Sequence, residues 1–473
     1  MIDEILVSSG PAETRVALIA SGRLQQIDVC RPDEAPLSGR IYLGRAGAAA
    51  PGMAARFVDL GLPRDGLLAA RDAGGRLPDE GAAVLVQVTG EATPDKGAPL
   101  RREARLSGRM LVYRPQGAGA QLSRRLDDAA ERERLSALAG RLAAAGEGGF
   151  LVRTAAAGAA EAALAAEAER LRQRWRLIAK AAAKTRPPAL LHQEEPLLRL
   201  LREHFDGNVR EVLCDDGATL RRLRASAGEW FPDAARRFRL HAGAEALLER
   251  HGVAAELEAL LRPRVPLPGG GALNIEGMAA LTAIDVDAGA GVATGRPEET
   301  ALEVNLAAAA EIARQLRLRG IGGLVVVDFL RMSAAGATER LLAALAAALA
   351  ADPTPTQLSG MSAFGLVEMS RPRARRPLAE QLTEPAAGHA RRPSARHLAE
   401  ELLRRARREA ARGRGGGLRL IAAPEVVRAL AALPGLGDEA ALARALGCRV
   451  RLVADAGRGR EAAEVAAEPG GQG

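Results

Sequence analysis

The alternation of apolar and polar positions divides this chain into regions of short strands and regions of helix. The clearest pattern spans residues 269–332. There, a polar–apolar segment ends at Asp287, a helical pattern runs from about 298 to 319, and a Val-rich run ends at Asp328. A run of Val and Leu that is apolar on both faces predicts a strand buried on both sides. This stretch therefore predicts a strand–helix–strand unit whose two strands lie parallel in one sheet.

Carboxylates stand at the ends of both predicted strands. Because successive side chains of a strand point to opposite faces, Asp285 and Asp287 share a face. The crossover brings both strand ends to one edge of the sheet, which places Asp328 near Asp285. Buried carboxylates are costly unless paired or metal-bound, and carboxylates without a basic partner suit a hard cation such as Mg²⁺. The alternative is that Asp287 only begins a turn and Asp328 only ends a strand.

The other regions carry less specific patterns. Many short strands separated by turn residues between 37 and 113 predict a small barrel. Residues 149–156 predict a strand, and a long amphipathic helix follows and stops before Pro187. From about residue 394 the pattern predicts an Arg-rich helix, a Gly-rich loop, and short strands and helices.

Charge and cysteine content narrow the class of protein. The chain has 66 Lys and Arg against 58 Asp and Glu, a net charge of +8, and nearly all of its cations are arginine. This balance favours an anionic partner, since the guanidinium fork suits phosphate. Three isolated cysteines predict neither a disulfide framework nor a metal site, which favours a reducing cytoplasm. No signal peptide or transmembrane segment is predicted.

Several segments around the predicted strand–helix–strand unit form one ordered series. In chain order they read EGMAALTAIDVD, EET, NL, EIARQLRLR, GG, DF and FGLVEMSR, between residues 276 and 371. This series resembles the ribonuclease E/ribonuclease G family of bacterial endoribonucleases. The resemblance implies a Mg²⁺-dependent endoribonuclease that cleaves single-stranded RNA in rRNA processing or RNA decay and leaves 5′-phosphate ends.

The resemblance also implies a fold class, α+β and multidomain, in which two segments distant in sequence form one RNase H-like subdomain. The implied regions are the first RNase H-like segment (1–34), an OB-fold RNA-binding barrel (35–114), a 5′-phosphate sensor region (115–198), the second RNase H-like segment (199–262), a DNase I-like α/β catalytic subdomain (263–380), a linker (381–397) and a small C-terminal α/β domain (398–473).

The family's catalytic residues correspond to aspartates already noted. Two aspartates hold one Mg²⁺ in the family, and their positions are those of Asp285 and Asp328. An asparagine two residues after the first one orients it, and here that position is Asp287. The resemblance implies that Asp287 orients Asp285 or becomes an additional ligand. Arg331 stands where the family commonly has another acidic residue.

Two features of the barrel region suit RNA binding. Phe57 corresponds to a ring on which the family stacks bases, although Leu67 stands where a second phenylalanine is usual. Lys96 and Arg109 correspond to a basic strand that faces the active site, and we expect both to contact RNA. The alternative for Phe57 is a place in the barrel core.

Arginines supply further expected contacts. Arg153 and Thr154 correspond to the family residues that bind the 5′-monophosphate of RNA, together with Arg124 and Arg125. An arginine fork and a hydroxyl are suitable chemistry for a terminal phosphate, although an exposed strand-end arginine is the simpler interpretation.

The Arg-rich stretch after the catalytic segment gives two more candidates. Arg371 and Arg373 are expected to contact phosphates of the strand being cut, although such runs often form a solvated surface. Many family members then carry a Cys-Pro-x-Cys pair that binds a zinc ion shared between two subunits. No cysteine lies between Cys214 and Cys448 here. Zinc is therefore not expected, and any homo-oligomer is not expected to form through a zinc link.

Two other functions remain open from the sequence. The first is an RNA-binding relative with weak or no nuclease activity, favoured by Asp287, Leu67 and the missing cysteines. The second is a Mg²⁺-dependent phosphohydrolase acting on small nucleotides, which paired carboxylates alone allow. The predicted barrel and 5′-phosphate strand argue against the second, because a small substrate needs neither.

Overall fold

The computed structural model describes most of the chain and divides it into two compact units. The first unit comprises Met1–Asp33, Val209–Leu220 and Arg237–Gly473, and the second comprises Glu34–Asn208 and Arg221–Arg236. The residues described are 2–92, 96–123, 126, 128–144, 146–228, 232–243, 245–278, 280–289, 297–373, 375–387, 391–412 and 416–468.

The described residues begin with a run of strands, and the later strands are interspersed with α-helices that range from short to long. The strands are β1 (Glu4–Ser9), β2 (Thr14–Ala20), β3 (Arg23–Cys30), β4 (Ile41–Ala49), β5 (Ala55–Asp59), β6 (Gly66–Ala69), β7 (Ala83–Val88), β8 (Pro99–Arg101), β9 (Leu106–Ser107), β10 (Leu111–Arg114), β11 (Ala120–Leu122), β12 (Gly149–Val152), β13 (Ala189–His192), β14 (Glu211–Cys214), β15 (Phe238–Leu240), β16 (Arg264–Pro266), β17 (Ala272–Gly277), β18 (Leu281–Asp287), β19 (Gly323–Asp328), β20 (Gln357–Met361), β21 (Leu366–Arg371), β22 (Thr383–Pro385), β23 (Arg391–Pro393), β24 (Leu418–Ala422), β25 (Val450–Ala454) and β26 (Glu464–Ala467). The α-helices are α1 (Ala129–Ala144), α2 (Glu161–Lys184), α3 (Pro196–His204), α4 (Gly217–Gly228), α5 (Leu247–Arg250), α6 (Val253–Leu260), α7 (Pro297–Arg319), α8 (Ala337–Ala350), α9 (Leu378–Leu382), α10 (Ala395–Ala411), α11 (Pro424–Ala431) and α12 (Glu439–Leu446). None of the helices described here is long and apolar enough to cross a membrane.

The sheet that carries the predicted carboxylates is six-stranded, with the order β16-β17-β18-β19-β21-β20. The α7 crossover makes β18 and β19 parallel, as the sequence pattern predicts, and the neighbouring pairs are antiparallel. Ile284 and Val327 belong to a buried cluster that also contains Ile312 of α7 and Leu345 of α8. The expectation of a strand buried on both sides is wrong, because Leu324 of β19 is 44 % exposed. This sheet therefore buries one face under helices and presents an open face.

A second sheet of the first unit joins distant regions of the chain. Its strand order is β15-β14-β1-β2-β3, with β1 parallel to β14 and antiparallel to β2. Leu6 and Leu24 share a buried cluster with Leu247 of α5 and Leu257 of α6. The two segments predicted to form one subdomain thus contribute strands to a single sheet.

Helix α10 of the C-terminal region is tied to this sheet through buried charges. Arg31 lies between Glu13 and Glu400, with nitrogen–oxygen distances of 3.0 and 2.6 Å. Arg404 of α10 also reaches Glu13, at 3.3 Å. All four side chains are less than a tenth exposed. Transferring a charge from water into the protein interior is costly, and the cost is offset only when the charge is paired. These groups therefore stabilise the docking of α10 only as a complete network.

The second unit contains a closed barrel. Strands β4, β5, β6, β8 and β7 pair in that order, β7 pairs with β4 to close the ring, and β13 adds to β4 outside it. Tyr42, Val58 and Val86 lie in the buried interior. Gly66 is required for close packing, since a Cβ there would lie 2.6 Å from Leu100 Cδ1. The five-stranded, OB-like barrel agrees with the prediction from the strand pattern.

A smaller sheet follows the barrel in sequence. Its order is β11-β12-β10-β9, and α1 and α2 contribute to its core, where Phe150 and Leu164 are fully buried. In the first unit, β25-β24-β26 form a three-stranded C-terminal sheet whose core also includes residues of α10, α11 and α12.

Candidate active site

Two aspartates lie side by side at the ends of adjacent parallel strands. Asp285 of β18 and Asp328 of β19 are direct register partners. Partners in a sheet share a face, and neighbouring strands lie about 4.8 Å apart. Both residues are exposed, so they lie on the open face of the sheet, where water and ions can reach them. The α7 crossover is what brings them together, as the sequence predicts.

This pair of carboxylates fits one Mg²⁺. Magnesium is commonly bound through one or two protein carboxylates, and it keeps several waters or substrate phosphate oxygens as its other ligands. Within the region of the chain that the structure describes, no group of three or more His, Cys, Asp or Glu side chains is placed to hold a metal ion. If an ion is bound at this edge of the sheet, Asp285 and Asp328 are the carboxylates that would hold it, and the open face leaves room for its other ligands.

Asp287 has a different environment from the other two. Its Oδ1 accepts a hydrogen bond from the Gly289 N–H at 2.9 Å, and its Oδ2 pairs with the Arg264 guanidinium at 3.1 Å. The Gly289 N–H and then Arg264 hold the pKa of Asp287 below its usual value. The expectation that the carboxylates lack a basic partner is wrong for this one, because β16 runs beside β17 and carries Arg264 to the same end of the sheet.

Two asparagines that the sequence reasoning did not select adjoin the aspartate pair. Asn274 of β17 is the direct antiparallel partner of Asp285, which places its amide on the same face. Asn305 of α7 is fully buried. Its side chain donates to the Leu330 carbonyl at 2.9 Å and accepts from the Leu330 N–H at 3.0 Å. Asn305 therefore fixes the backbone two residues after Asp328. The sequence does contain a signal for Asn305: a polar amide stands on the apolar face of a predicted helix, where it needs hydrogen-bond partners.

The two arginines predicted to contact phosphate differ from each other. Arg373 is exposed, as a phosphate contact requires. Arg371 is only 5 % exposed; its guanidinium holds Asp352 at 2.9 Å and donates to the Ile321 carbonyl. The structure thus corrects the prediction for Arg371: it lies on the helix-covered side of β21 and stabilises the fold.

The barrel holds Phe57 outside its core. Phe57 of β5 is half-buried and pairs directly with Leu67 of β6. It is not a member of the interior cluster formed by Val58 and its neighbours. Lys96 is exposed ahead of β8. Leu67, which stands where the family resemblance implies a second aromatic ring, is therefore the immediate cross-strand neighbour of Phe57.

Arg153 and Thr154 line an open pocket of about 820 Å³, together with Val112, Gln121, Leu122, Ser123 and Leu151. Arg153 Nη1 donates to the Gly108 carbonyl at 2.8 Å, and burial lowers the pKa of its guanidinium. Thr154 is exposed. This pocket has the cationic and hydroxyl donors that a terminal phosphate would need. Arg124 and Arg125, which were also predicted to bind phosphate, lie outside the described residues.

Arg109 belongs to the surroundings of this pocket. It lies two residues before β10. Burial lowers the pKa of its guanidinium, and the charge of Arg153 lowers it further, against the opposing carboxylates of Glu167 and Asp206. Glu167 of α2, which the sequence reasoning also missed, is 2 % exposed and accepts from the Met110 and Leu111 N–H groups at 2.8 and 2.9 Å. Glu167 therefore fixes the segment that carries Arg109.

Comparison with known proteins places this arrangement in a family. The model of the ribonuclease E/G family matches residues 105–374. Ribonuclease G of Escherichia coli is 33 % identical over 402 residues, which cover 81 % of this chain and 82 % of that protein. Ribonuclease E of a Nostoc species is 38 % identical over 368 residues, covering 74 % of this chain and 53 % of that protein. Ribonuclease E of Escherichia coli is 35 % identical over 389 residues, covering 78 % and 36 % respectively. The chain therefore belongs to the ribonuclease E/G family.

Proposed function

We propose that this protein is an endoribonuclease that cleaves single-stranded RNA with Mg²⁺, in rRNA processing or RNA decay. The observation that carries the proposal is the register pairing of Asp285 with Asp328 on an open sheet face. Membership of the ribonuclease E/G family supports the reaction class. The open face suits a polymer, since a chain of nucleotides can lie across it without entering a closed cavity.

Each group at this edge of the sheet has a distinct role in the proposed mechanism. Bound Mg²⁺ would activate the attacking water and stabilise the charge that builds up on the phosphoryl oxygens. Asp285 and Asp328 would hold the ion against the scissile phosphate. Asn305 keeps the backbone after Asp328 in place. Asp287, paired with Arg264, would act on Asp285 only from outside the ligand set.

RNA binding is proposed to involve both units. Phe57 would stack on a base, and Lys96 and Arg373 would contact backbone phosphates as exposed cations. Arg153 and Thr154 would bind a 5′-monophosphate, with Arg109 adding positive charge nearby. Arg371 is left out of this set because its guanidinium is buried against Asp352.

One observation favours a second function. Leu67 is the cross-strand partner of Phe57, so the barrel presents one ring where the family pattern has two. A weaker stacking surface, together with Asp287, is compatible with an RNA-binding relative that cuts slowly or not at all.

The deciding experiment compares cleavage of a 5′-monophosphorylated, A/U-rich single-stranded RNA by the wild type and by Asp328→Asn in Mg²⁺. We expect internal cuts with the wild type and a loss of at least about 100-fold with the variant, since metal stabilisation supplies several kcal/mol. Glu339→Gln is the matched control, because Glu339 is an exposed carboxylate on α8, away from the open face. Binding without cutting by the wild type, in Mg²⁺ and in Mn²⁺, would favour the RNA-binding relative.

A further inference from the structure

One aromatic ring in the first unit is far more exposed than the other phenylalanines that the structure describes. Phe364 is 91 % exposed, whereas Phe150, Phe205 and Phe238 are at most 1 % exposed. The chain has only seven phenylalanines and two residues each of tryptophan and tyrosine. An aromatic ring left in water forgoes the burial that normally makes such a residue stabilising. Its position therefore calls for a partner outside the chain.

A tight turn presents this ring. Residues 362–365 connect β20 to β21, and the turn is closed by hydrogen bonds from the Ser362 N–H to the Leu366 carbonyl at 2.8 Å and from the Gly365 N–H to the Ser362 carbonyl at 2.9 Å. The Ser362 hydroxyl also accepts from the Leu366 N–H at 3.2 Å. Gly365 has a φ of +84°, which only glycine adopts without strain. The ring thus stands on a fixed backbone and loses little freedom when it binds a partner.

The turn adjoins the carboxylate pair. Leu366, two residues after Phe364, is the register partner of Asp328. Two residues of chain span at most about 7 Å, and the neighbouring strand lies about 4.8 Å away. Phe364 is therefore on the order of one nucleotide step from the carboxylates, beyond the end of β19. A chain of nucleotides whose scissile phosphate lies at Asp285 and Asp328 has a neighbouring base within reach of this ring.

We propose that Phe364 is a base-stacking subsite for a nucleotide that adjoins the scissile phosphate. The inference rests on the proposed function and adds to it a binding contact within the catalytic sheet itself. Every base has an apolar π-face, so a single ring is enough to bind one, and the contact tolerates different sequences. Docking of another protein requires a much larger apolar area than one ring provides. Single-stranded RNA is thus the partner that this position fits.

The test pairs removal of the ring with removal of single bases. Binding is measured by fluorescence anisotropy with a dye-labelled single-stranded RNA, in an Asp328→Asn background so that no cleavage occurs. The same RNA is then made with an abasic site at each position in turn. Proteins with Phe364 and with Phe364→Ala are compared on the whole series, which gives a double-mutant cycle for every base. Leu177→Ala is the matched control, since Leu177 is an exposed apolar residue (69 %) on α2.

We expect Phe364→Ala to weaken binding of the intact RNA about 5- to 20-fold, which lies within the range of base–aromatic stacking. One abasic position should weaken binding to the Phe364 protein and have no further effect on the Ala variant. Phe364→Trp should restore tight binding, and Leu177→Ala should leave it unchanged. Thermal unfolding should not differ, because the ring is almost fully exposed.

Loss of affinity that is equal at every abasic position, or no loss at all, would overturn the subsite. A self-association of the Phe364 protein that the Ala substitution abolishes, without any change in RNA affinity, would assign the ring to a contact between copies of the chain. The result is independent of whether the wild type cuts RNA. A coupled base in a protein that never cleaves would reject the nuclease proposal and keep a stacking contact at Phe364.

Discussion

At the scale of single residues, neighbouring carboxylates differ in what holds them. Asp285 faces the open side with Asp328 beside it, whereas Asp287, two residues on, is occupied by Arg264 and the Gly289 N–H. The sequence spacing treats Asp285 and Asp287 as equivalent because both share one face of β18. What separates them is a cation from β16, which the spacing alone does not reveal.

This difference predicts unequal effects of the same substitution. Asp285→Asn should lower the cleavage rate at least about 100-fold, since it removes one of the two carboxylates proposed to hold the metal ion. Asp287→Asn should change the rate only a few-fold, because an amide oxygen can still accept from the Gly289 N–H and the lost pair with Arg264 is exposed to water, which screens it. Rates measured across a Mg²⁺ titration decide the matter. Equal losses would make Asp287 a ligand.

Asn274 supports a second prediction at this scale. Its amide is the direct cross-strand neighbour of Asp285, and groups that orient metal ligands affect metal affinity by roughly 10- to 100-fold. Asn274→Ala should therefore weaken Mn²⁺ binding at least about tenfold, as measured by titration calorimetry without RNA. Asn274→Gln should recover some of the loss. Unchanged affinity in the Ala variant would reduce Asn274 to a packing residue of the sheet.

At the scale of elements, helix α7 both connects the two strands that carry Asp285 and Asp328 and fixes the segment after the second one. Asn305 bridges to the backbone of Leu330 with two hydrogen bonds. Asn305→Leu should lower the free energy of unfolding by about 1–3 kcal/mol, since it leaves backbone groups without partners. It should also slow cleavage about tenfold or more by releasing the end of β19.

The control for this effect lies on the same helix. Gln315 is 3 % exposed and bonds to Glu311 and Arg319, away from the strand ends. Gln315→Leu should destabilise the protein without a matching loss of cleavage, when both variants are assayed well below their unfolding temperatures. A similar loss of cleavage in both would mean that only stability is being measured.

Helix α10 gives a prediction about the cost of an incomplete charge network. Arg31→Leu leaves Glu13 and Glu400 buried with one cation fewer, which should cost about 3–5 kcal/mol of unfolding free energy. Arg392→Leu, which breaks an exposed pair with Glu384, should cost at most about 1 kcal/mol. Chemical denaturation of both variants gives the comparison. Equal costs would show that the buried network contributes no more than a surface pair.

The sequence predicts those features that depend on local patterns, and it does not predict those that depend on contacts between residues distant in the chain. The parallel pairing of β18 with β19 follows from a local pattern, and so does the closed barrel of short strands. The open face of the sheet that carries Asp285 and Asp328 does not, because it depends on both α7 and α8 packing on one side. Arg371 was misassigned for a similar reason: it lies in an Arg-rich run, but its partner Asp352 precedes β20. Likewise, nothing near Arg31 indicates its pairing with Glu400 in α10.

At the scale of the whole molecule, two compact units carry different groups of the proposed reaction. The aspartate pair belongs to the first unit, and the pocket of Arg153 and Thr154 belongs to the second. An excess of basic residues, with a net charge of +8, favours RNA binding that weakens as salt is raised. Binding of a 5′-phosphate in this pocket must therefore be distinguished from the general attraction between a basic protein and RNA. The comparison needs two RNAs that differ only in their 5′ end group.

Arg153→Ala should act on the preference for a 5′-monophosphate rather than on cleavage in general. A charge-assisted hydrogen bond contributes about 1.5–3 kcal/mol, so the wild type should cut 5′-monophosphorylated RNA roughly tenfold or more faster than the 5′-hydroxyl form. The variant should cut both forms at the wild-type rate for the 5′-hydroxyl RNA, and Thr154→Val should show a smaller effect in the same direction. Arg176→Ala, at an exposed arginine of α2, is the control. A rate lowered equally on both RNAs would instead mean that Arg153, through its bond to the Gly108 carbonyl, serves the fold of the pocket and not the phosphate.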